Sequence, residues 1–127
     1  MTHYSRLAVV VVDVPGDDHD KELDFWAAAS GEKLRPIEKL PEYHSAQLHG
    51  LDFGLLIQRI GEGPARMHID IHTDDLEAEV ARLEALGAQR VEALHFWCVM
   101  RDPAGLLFCV VAEPAGELTD ENAHRWD

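Results

Sequence analysis

The sequence has few basic residues, only two cysteines and no long apolar segment. Its 127 residues include 11 Lys plus Arg against 24 Asp plus Glu, which gives a net charge of -13 with neutral histidine. Such a charge repels nucleic acid phosphates and anionic lipid headgroups. No window approaches the roughly 20 apolar residues of a membrane span, and the N-terminus does not have a signal-peptide pattern. We therefore expect a cytoplasmic protein that binds neither nucleic acid nor membranes.

Several motifs are also missing, and their absence removes classes of chemistry. The sequence has no Gly-rich phosphate loop, no Cys-x-x-Cys pair and no nucleophile motif around a serine. Cys98 and Cys109 lie in separate apolar runs, which is typical of reduced, buried thiols rather than of a disulfide. Phosphoryl transfer and serine hydrolysis therefore have no support.

Two segments of the chain have the same plan of a strand followed by a helix. Residues 7–14 form an apolar run rich in β-branched residues, which predicts a strand covered on both faces, and Pro15 ends it. Leu23 and Trp26 then fall at helical spacing as core residues, and Gly31 ends this first helix. Turn residues separate further predicted strands around residues 33–38, 43–48 and 53–60, and around 89–93, 95–101 and 106–112.

The strand that opens the second segment has two chemically different faces. Because side chains alternate along a strand, one face is polar and the other, expected to pack against a helix, is apolar. The polar side chains are His68, Asp70 and His72, and the apolar ones are Met67, Ile69 and Ile71. Asp74 with Glu77 resembles a capping box at the start of the next helix, which ends at Gly87. Glu79 and Arg82 can pair on its exposed side.

Two sequence blocks carry a family resemblance. They are His68-Ile69-Asp70-Ile71 before a helix ending at Leu86-Gly87-Ala88, and Val99-Met100-Arg101-Asp102-Pro103-Ala104-Gly105 before an apolar strand. With the repeated layout, they resemble the vicinal oxygen chelate superfamily of glyoxalases, bleomycin-resistance proteins and ring-cleaving dioxygenases. The resemblance implies an α+β fold in which two βαβββ modules form a curved mixed sheet around a cup, often in a homodimer.

This resemblance also sets the domain limits that we expect. A single glyoxalase-like domain would cover residues 1–113, with module one at about 5–60 and module two at about 66–112. The polar and acidic composition of residues 114–127 favours a loosely packed C-terminal tail.

Metal-dependent members of the superfamily place one ligand, usually His or Glu, on the first and last strand of each module. The matching positions here offer only apolar side chains near Ala8, then Gln58, His68 and Cys109. One histidine and one neutral amide are too few donors for a site that binds a divalent metal ion. We therefore expect no metal cofactor. The alternative is a Zn, Ni, Mn or Fe ion held by His68 and Gln58, with Cys109 or a substrate oxygen.

The candidate ligand-binding residues are the polar, thiol and aromatic side chains that this fold would place in the cup. They are His68, Asp70, Gln58, Trp97 and Cys109, and His68 is also the candidate catalytic residue. Three of them have a structural alternative: a satisfied buried amide for Gln58, core packing for Cys109, and for Trp97 a position on the other side of the sheet, away from the ligand. His72 is either a ligand contact or an ordinary rim residue. We take Tyr43, His44 and His49 as exposed loop residues.

Three functions follow from these residues. The first is a glyoxalase-like protein, without the usual metal site, that binds or sequesters an apolar or aromatic metabolite or drug. The second is a divalent-metal-dependent lyase, isomerase or dioxygenase of the same superfamily. The third is a metal-free acid–base catalyst in which His68 moves a proton. The expected partners are a small-molecule ligand and a second copy of the chain.

Overall fold

The computed structural model describes residues 2–38 and 40–127. These residues form two compact units. The N-terminal unit is Val9–His68, and the C-terminal unit combines the residues up to Ala8 with Ile69–Asp127. Neither helix in the described residues is long and apolar enough to cross a bilayer.

The order of elements is a strand, a helix and three strands, twice, followed by one more strand. The strands are β1 (His3–Pro15), β2 (Arg35–Ile37), β3 (Leu40–Gln47), β4 (Gly54–Ile60), β5 (Arg66–Thr73), β6 (Gln89–Ala93), β7 (Trp97–Arg101), β8 (Leu107–Ala112) and β9 (His124–Trp126). The helices are α1 (His19–Ser30) and α2 (Leu76–Ala85). The two predicted βαβββ modules of an α+β fold are therefore confirmed.

In the N-terminal unit, β2, β3, β4 and β1 lie side by side, with β1 and β4 parallel and the other pairs antiparallel. Leu23 and Trp26 of α1 pack on one face of these strands, as predicted. The buried strand residues of this core are Val12, Val14, Leu55 and Ile57. Because side chains alternate along a strand, Asp13 projects to the other face. We call this side the helix-opposite face of the N-terminal unit.

In the C-terminal unit, β5 and β8 are parallel, whereas β8, β7 and β6 follow one another in antiparallel order. Helix α2 packs on one face through Val80 and Leu83, against the buried strand residues Cys98, Met100 and Val110. The opposite side is the helix-opposite face of the C-terminal unit. Cys98 and Cys109 are both free thiols, but only Cys98 is buried as predicted, and burial raises the pKa of the Cys98 thiol.

The prediction of a loosely packed C-terminal tail is wrong. Strand β9 pairs antiparallel with His3–Ser5 at the start of β1, and Trp126 Nε1 donates a hydrogen bond to Ser5 Oγ at 2.9 Å. Leu118 is only 3% exposed. The segment is acidic overall, but its few apolar side chains suffice to anchor it to the C-terminal unit.

The predicted start of α2 is displaced by one residue. Asp75, not Asp74, is the N-cap, and its side chain accepts a hydrogen bond from Ala78 N at 3.1 Å. The Asp74 carboxylate accepts from Tyr4 N at 2.8 Å instead. The sequence could not distinguish the two aspartates because either fits the start of a helix.

The predicted pair between Glu79 and Arg82 forms, but it is not on the exposed side of α2. Glu79 is fully buried, and its carboxylate accepts two hydrogen bonds from Arg82 and one from His3 Nε2, each at 2.8 Å. Burial raises the pKa of Glu79, but the hydrogen bonds from Arg82, His3 and Ser5 outweigh burial and hold the pKa below its ordinary value. This carboxylate is therefore a buried, fully partnered anion.

The expected apolar face of β5 packs against a helix only in part. Ile71 packs against the α2 core, but Met67 is 56% exposed and Ile69 is 41% exposed. The alternation predicted which side chains share a face. It could not predict how far a helix covers that face.

Candidate functional site

Polar side chains from neighbouring strands line up on the helix-opposite face of the N-terminal unit. Tyr43 on β3 lies opposite Gln58 on β4, and Gln58 lies opposite Asp13 on β1. Paired residues of neighbouring strands project to the same face. His68 on β5 extends this set, because its Nδ1 lies 2.6 Å from Asp13 Oδ2. We call Tyr43, Gln58, Asp13 and His68 the polar row.

Asp13 and His68 form a close contact within this row. Asp13 is only 2% exposed, and a buried carboxylate is costly unless hydrogen bonds and opposite charge compensate it. His68 supplies a hydrogen bond, and Arg66 Nε lies 3.6 Å from the same Oδ2 atom. Because a carboxylate accepts, the neutral His68 ring carries its proton on Nδ1 and a lone pair on Nε2.

Gln58 and Tyr43 form the other end of the polar row. Gln58 Nε2 donates to the Tyr43 hydroxyl at 3.3 Å. Tyr43 and His44 are therefore not exposed loop residues, since both lie on β3 and are partly buried. The Gln58 amide is hydrogen-bonded within the sheet and also lies beside the buried Asp13.

Apolar positions adjoin the polar row on the same face. Moving along the strands, Leu56 lies opposite Val11, and Gly54 lies opposite Val9. A side chain at Gly54 would crowd Val9, because a Cβ there would lie 3.3 Å from Val9 Cγ2. A fixed polar set beside an apolar surface is the common composition of a site for small organic molecules.

The helix-opposite face of the C-terminal unit holds the remaining predicted residues. Asp70 on β5 lies opposite Cys109 on β8, while His72 and Trp97 each lie opposite Val111. His72 Nδ1 lies 2.6 Å from Glu113 Oε1. All these side chains are partly buried, so core packing alone does not describe Cys109, and Trp97 lies on the side of the sheet away from α2.

The four positions at which the resemblance implies metal ligands do not suit a divalent ion. Ala8 has no donor atom, and the Gln58 amide is neutral and donates to Tyr43. His68 Nδ1 contacts Asp13, and Cys109 has a free thiol. Divalent ions in proteins are held by three or four charged or strongly polar donors. The residues with such donors on β5 and β8 are His68, Asp70, His72 and Cys109.

Two carboxylates of these faces were missed from the sequence. Asp13 lies inside the apolar run that predicted β1, and Glu113 lies at the expected end of the domain, after the last predicted strand. A single charged residue within an otherwise apolar buried strand was the available signal for Asp13, because such a charge needs a partner. The Glu113 position offered no comparable signal.

The sequence from residue 9 to residue 111 matches a protein family described as Glyoxalase-like domain. Curated proteins yield no match. Among solved structures, methylmalonyl-CoA epimerase from Mycobacterium tuberculosis is 16% identical with a TM-score of 0.61, covering 87% of this chain and 89% of that one. A hypothetical protein from Bacillus halodurans C-125 is 14% identical with a TM-score of 0.65, covering 91% and 99%.

A third solved structure is a methylmalonyl-CoA epimerase in complex with methylmalonyl-CoA and NH4+. It is 16% identical to this chain with a TM-score of 0.62, and the match covers 91% of this chain and 99% of that one. At such identities the structural likeness concerns the fold, whereas the family match covers most of the sequence. The chain therefore belongs to the glyoxalase-like domain family.

Proposed function

We propose that this chain is a small-molecule-binding protein that holds the polar end of its ligand with the polar row and uses no metal at the family's usual positions. The observation that carries this proposal is the 2.6 Å contact between His68 Nδ1 and the buried Asp13. This contact fixes one nitrogen of the His68 ring and so orients the other. A pre-oriented polar group loses little conformational entropy when a ligand binds.

The chemistry of the face indicates the kind of ligand. His68 Nε2 accepts a hydrogen bond in the neutral ring, and Gln58 offers an amide. Leu56, which is partly exposed, supplies apolar surface next to them. A metabolite or drug with an apolar or aromatic body and a hydroxyl or carbonyl group fits this combination. The epimerase structure that contains methylmalonyl-CoA supports small-molecule binding by the fold, but a shared fold does not transfer a substrate.

The binding proposal is tested by thermal unfolding in a library of metabolites and drugs, with and without EDTA. A ligand at 100 times its Kd adds about 2.7 kcal/mol to the free energy of unfolding. We expect compounds that stabilise the wild type equally in EDTA and that lose this effect in His68→Asn. His49→Asn is the matched control, because His49 is exposed in the same unit. Stabilisation that needs added metal, or that persists in His68→Asn, would refute the proposal.

Acid–base catalysis by His68 is the second candidate, and the same contact favours it. A carboxylate that accepts from one imidazole nitrogen fixes the tautomer in which the other nitrogen is basic. His68 would then take a proton from a bound ligand, and Asp13 would hold the ring in position. For a bound carbonyl compound, the measurement is exchange of the adjacent C–H in D2O, followed by NMR. We expect the C–H exchange to stop in His68→Asn. In Asp13→Asn, binding of the compound should survive. An unchanged exchange rate in His68→Asn would exclude this role.

The metal-dependent lyase, isomerase or dioxygenase is the third candidate. Elemental analysis of protein purified without a metal-affinity tag, before and after incubation with Zn, Ni, Mn or Fe(II), tests it directly. About one metal per chain with a raised melting temperature would favour this candidate, because a ligand of the native state stabilises it. The matched variant is Asp70→Asn, which removes a charged donor and keeps the side-chain size.

A further inference from the structure

The C-terminal unit has its own pair of a histidine and a carboxylate. His72 Nδ1 donates to Glu113 Oε1 over 2.6 Å, and both side chains are about three-quarters buried. Glu113 follows β8 directly, and its backbone N–H donates to Thr73 O at 2.7 Å, which fixes the carboxylate beside β5. The polar row uses neither residue.

An aromatic side chain lies on the same face as this pair. Trp97 on β7 and His72 on β5 both lie opposite Val111 of β8, so Val111 separates them. Two strand spacings amount to about 10 Å, which is the gap that a fused bicyclic ring system and one substituent would bridge. Trp97, Val111 and His72 are all partly exposed, so the surface between the ring and the imidazole is accessible.

The position of Trp97 is held from both sides. Phe96 contacts its ring edge-on, with 4.7 Å between the ring centroids. The turn before Trp97 is closed by a hydrogen bond from Leu94 N to Trp97 O at 2.8 Å, and Ala112 N donates to Phe96 O at 2.9 Å. A rigid aromatic face is a favourable surface for stacking another aromatic ring.

We infer that this face is a second ligand-binding centre, which takes a flat aromatic compound with a hydroxyl group, stacked on Trp97 and hydrogen-bonded to His72. The ligand needs a hydroxyl group because the tautomer of His72 makes its second nitrogen an acceptor. Because Glu113 accepts from Nδ1, the neutral His72 ring presents a lone pair on Nε2 and binds a group that donates a hydrogen. The centre is independent of the polar row and goes beyond the proposed function.

The test uses 2-naphthol as the probe and 2-methoxynaphthalene, which has no hydroxyl hydrogen, as its matched control. The observable is the set of indole N–H signals of the 15N-labelled protein, which has three tryptophans. Trp97→Phe assigns the Trp97 signal by its loss. We expect 2-naphthol to shift the Trp97 signal saturably and 2-methoxynaphthalene to bind about tenfold more weakly.

Variants separate the two halves of the centre. His72→Leu is expected to weaken 2-naphthol binding about tenfold and to abolish the difference between the two probes. Trp97→Leu is expected to weaken both probes, by about three- to tenfold. Glu113→Gln keeps the His72 imidazole but no longer fixes its tautomer. It should therefore reduce the difference in affinity between the two probes while the protein stays folded.

His68→Asn distinguishes this inference from the proposed function. It should leave the 2-naphthol affinity read from the Trp97 signal unchanged within about twofold, because His68 is no part of the centre. The inference is overturned if 2-naphthol does not shift the Trp97 signal or if the two probes bind equally well. It is also overturned if His68→Asn abolishes the shift of the Trp97 signal while His72→Leu does not.

Discussion

At the scale of single residues, Asp13 is a buried carboxylate that contacts a histidine and an arginine. Burial of a charge is tolerated only while such partners remain. Two substitutions separate the charge of this side chain from its hydrogen bond. Asn keeps an acceptor oxygen and loses the charge, whereas Leu loses both.

We expect Asp13→Asn to lower the free energy of unfolding by about 1 kcal/mol and Asp13→Leu to lower it by about 3 kcal/mol. The larger loss follows because the buried His68 Nδ1–H then loses its acceptor. Urea unfolding measures both. Asp24→Asn on the exposed side of α1 is the control and should change the free energy by less than about 0.5 kcal/mol. Equal losses in Asp13→Asn and Asp13→Leu would contradict the hydrogen bond.

A second residue-scale feature is the pair of rings formed by His19 and His44, whose centroids lie 5.2 Å apart. Burial lowers the pKa of His44, and the neighbouring His19 and Arg59 lower it further, against an opposing effect of Asp20. The folded chain therefore holds His44 in its neutral form more strongly than the unfolded chain does.

The sign of the pH dependence follows from this difference. Below the ordinary histidine pKa of about 6.5, the unfolded chain takes up a proton at His44 more readily, so acidification favours unfolding. The stabilising contribution of neutral His44 to the free energy of unfolding is present above that pH and is lost as the pH falls below it. We expect His44→Phe to reduce the fall in the urea midpoint between pH 7.5 and 5.5. His49→Gln should leave the fall unchanged, and a steeper fall in His44→Phe would reverse the assignment.

At the scale of elements, the start of α2 gives a prediction that separates two neighbouring aspartates. Asp75 accepts a hydrogen bond from Ala78 N, so Asp75→Ala should cost about 1 kcal/mol in the free energy of unfolding. Glu77→Ala, on an exposed position of the same turn, is the matched control. If the urea midpoint moves equally in both variants, the cap is not at Asp75.

Strand β9 is held through Trp126, and its removal tests whether the last strand adds stability. The Trp126 ring lies 3.9 Å from the Arg82 guanidinium carbon, and Arg82 in turn holds the buried Glu79. We expect Trp126→Ala to lower the free energy of unfolding by about 2 kcal/mol and Trp126→Phe by about 1, because Phe keeps the ring and loses the bond to Ser5. Unchanged amide exchange of β9 in Trp126→Ala would contradict this anchor.

Periodicity predicted the elements well because the patterns that define them are local. The alternation in β5 and the spacing of Leu23 and Trp26 in α1 can each be recognised within a short segment of the sequence. The site was only partly predictable, because its contacts are distant in sequence. His68 meets Asp13 across 55 residues, and Trp126 meets Ser5 across 121. No local pattern shows which carboxylate a histidine will meet.

At the scale of the whole molecule, the order of elements was the informative signal, since no single motif defines this family. The homodimer that the resemblance implies remains a prediction. Several large apolar side chains are more than half exposed, namely Leu7, Phe25, Leu51, Met67, Leu86, Phe96 and Leu106. Sedimentation velocity should give about twice the 14.2 kDa of one chain. A single species at one chain mass across micromolar concentrations would refute the dimer.

The pairing of β1 with β9 has a consequence for the order of folding. The first strand supplies residues to both compact units, but its start at His3–Ser5 is completed only by the last strand. During synthesis the N-terminal unit has all its residues once His68 has left the ribosome, whereas the C-terminal unit still lacks its final strand. Closing a loop of almost the whole chain is entropically unfavourable, so this pairing is expected to be a late event. Until then the start of β1 is held by residues 73 and 74, through the hydrogen bonds of Tyr4 with Thr73 and Asp74.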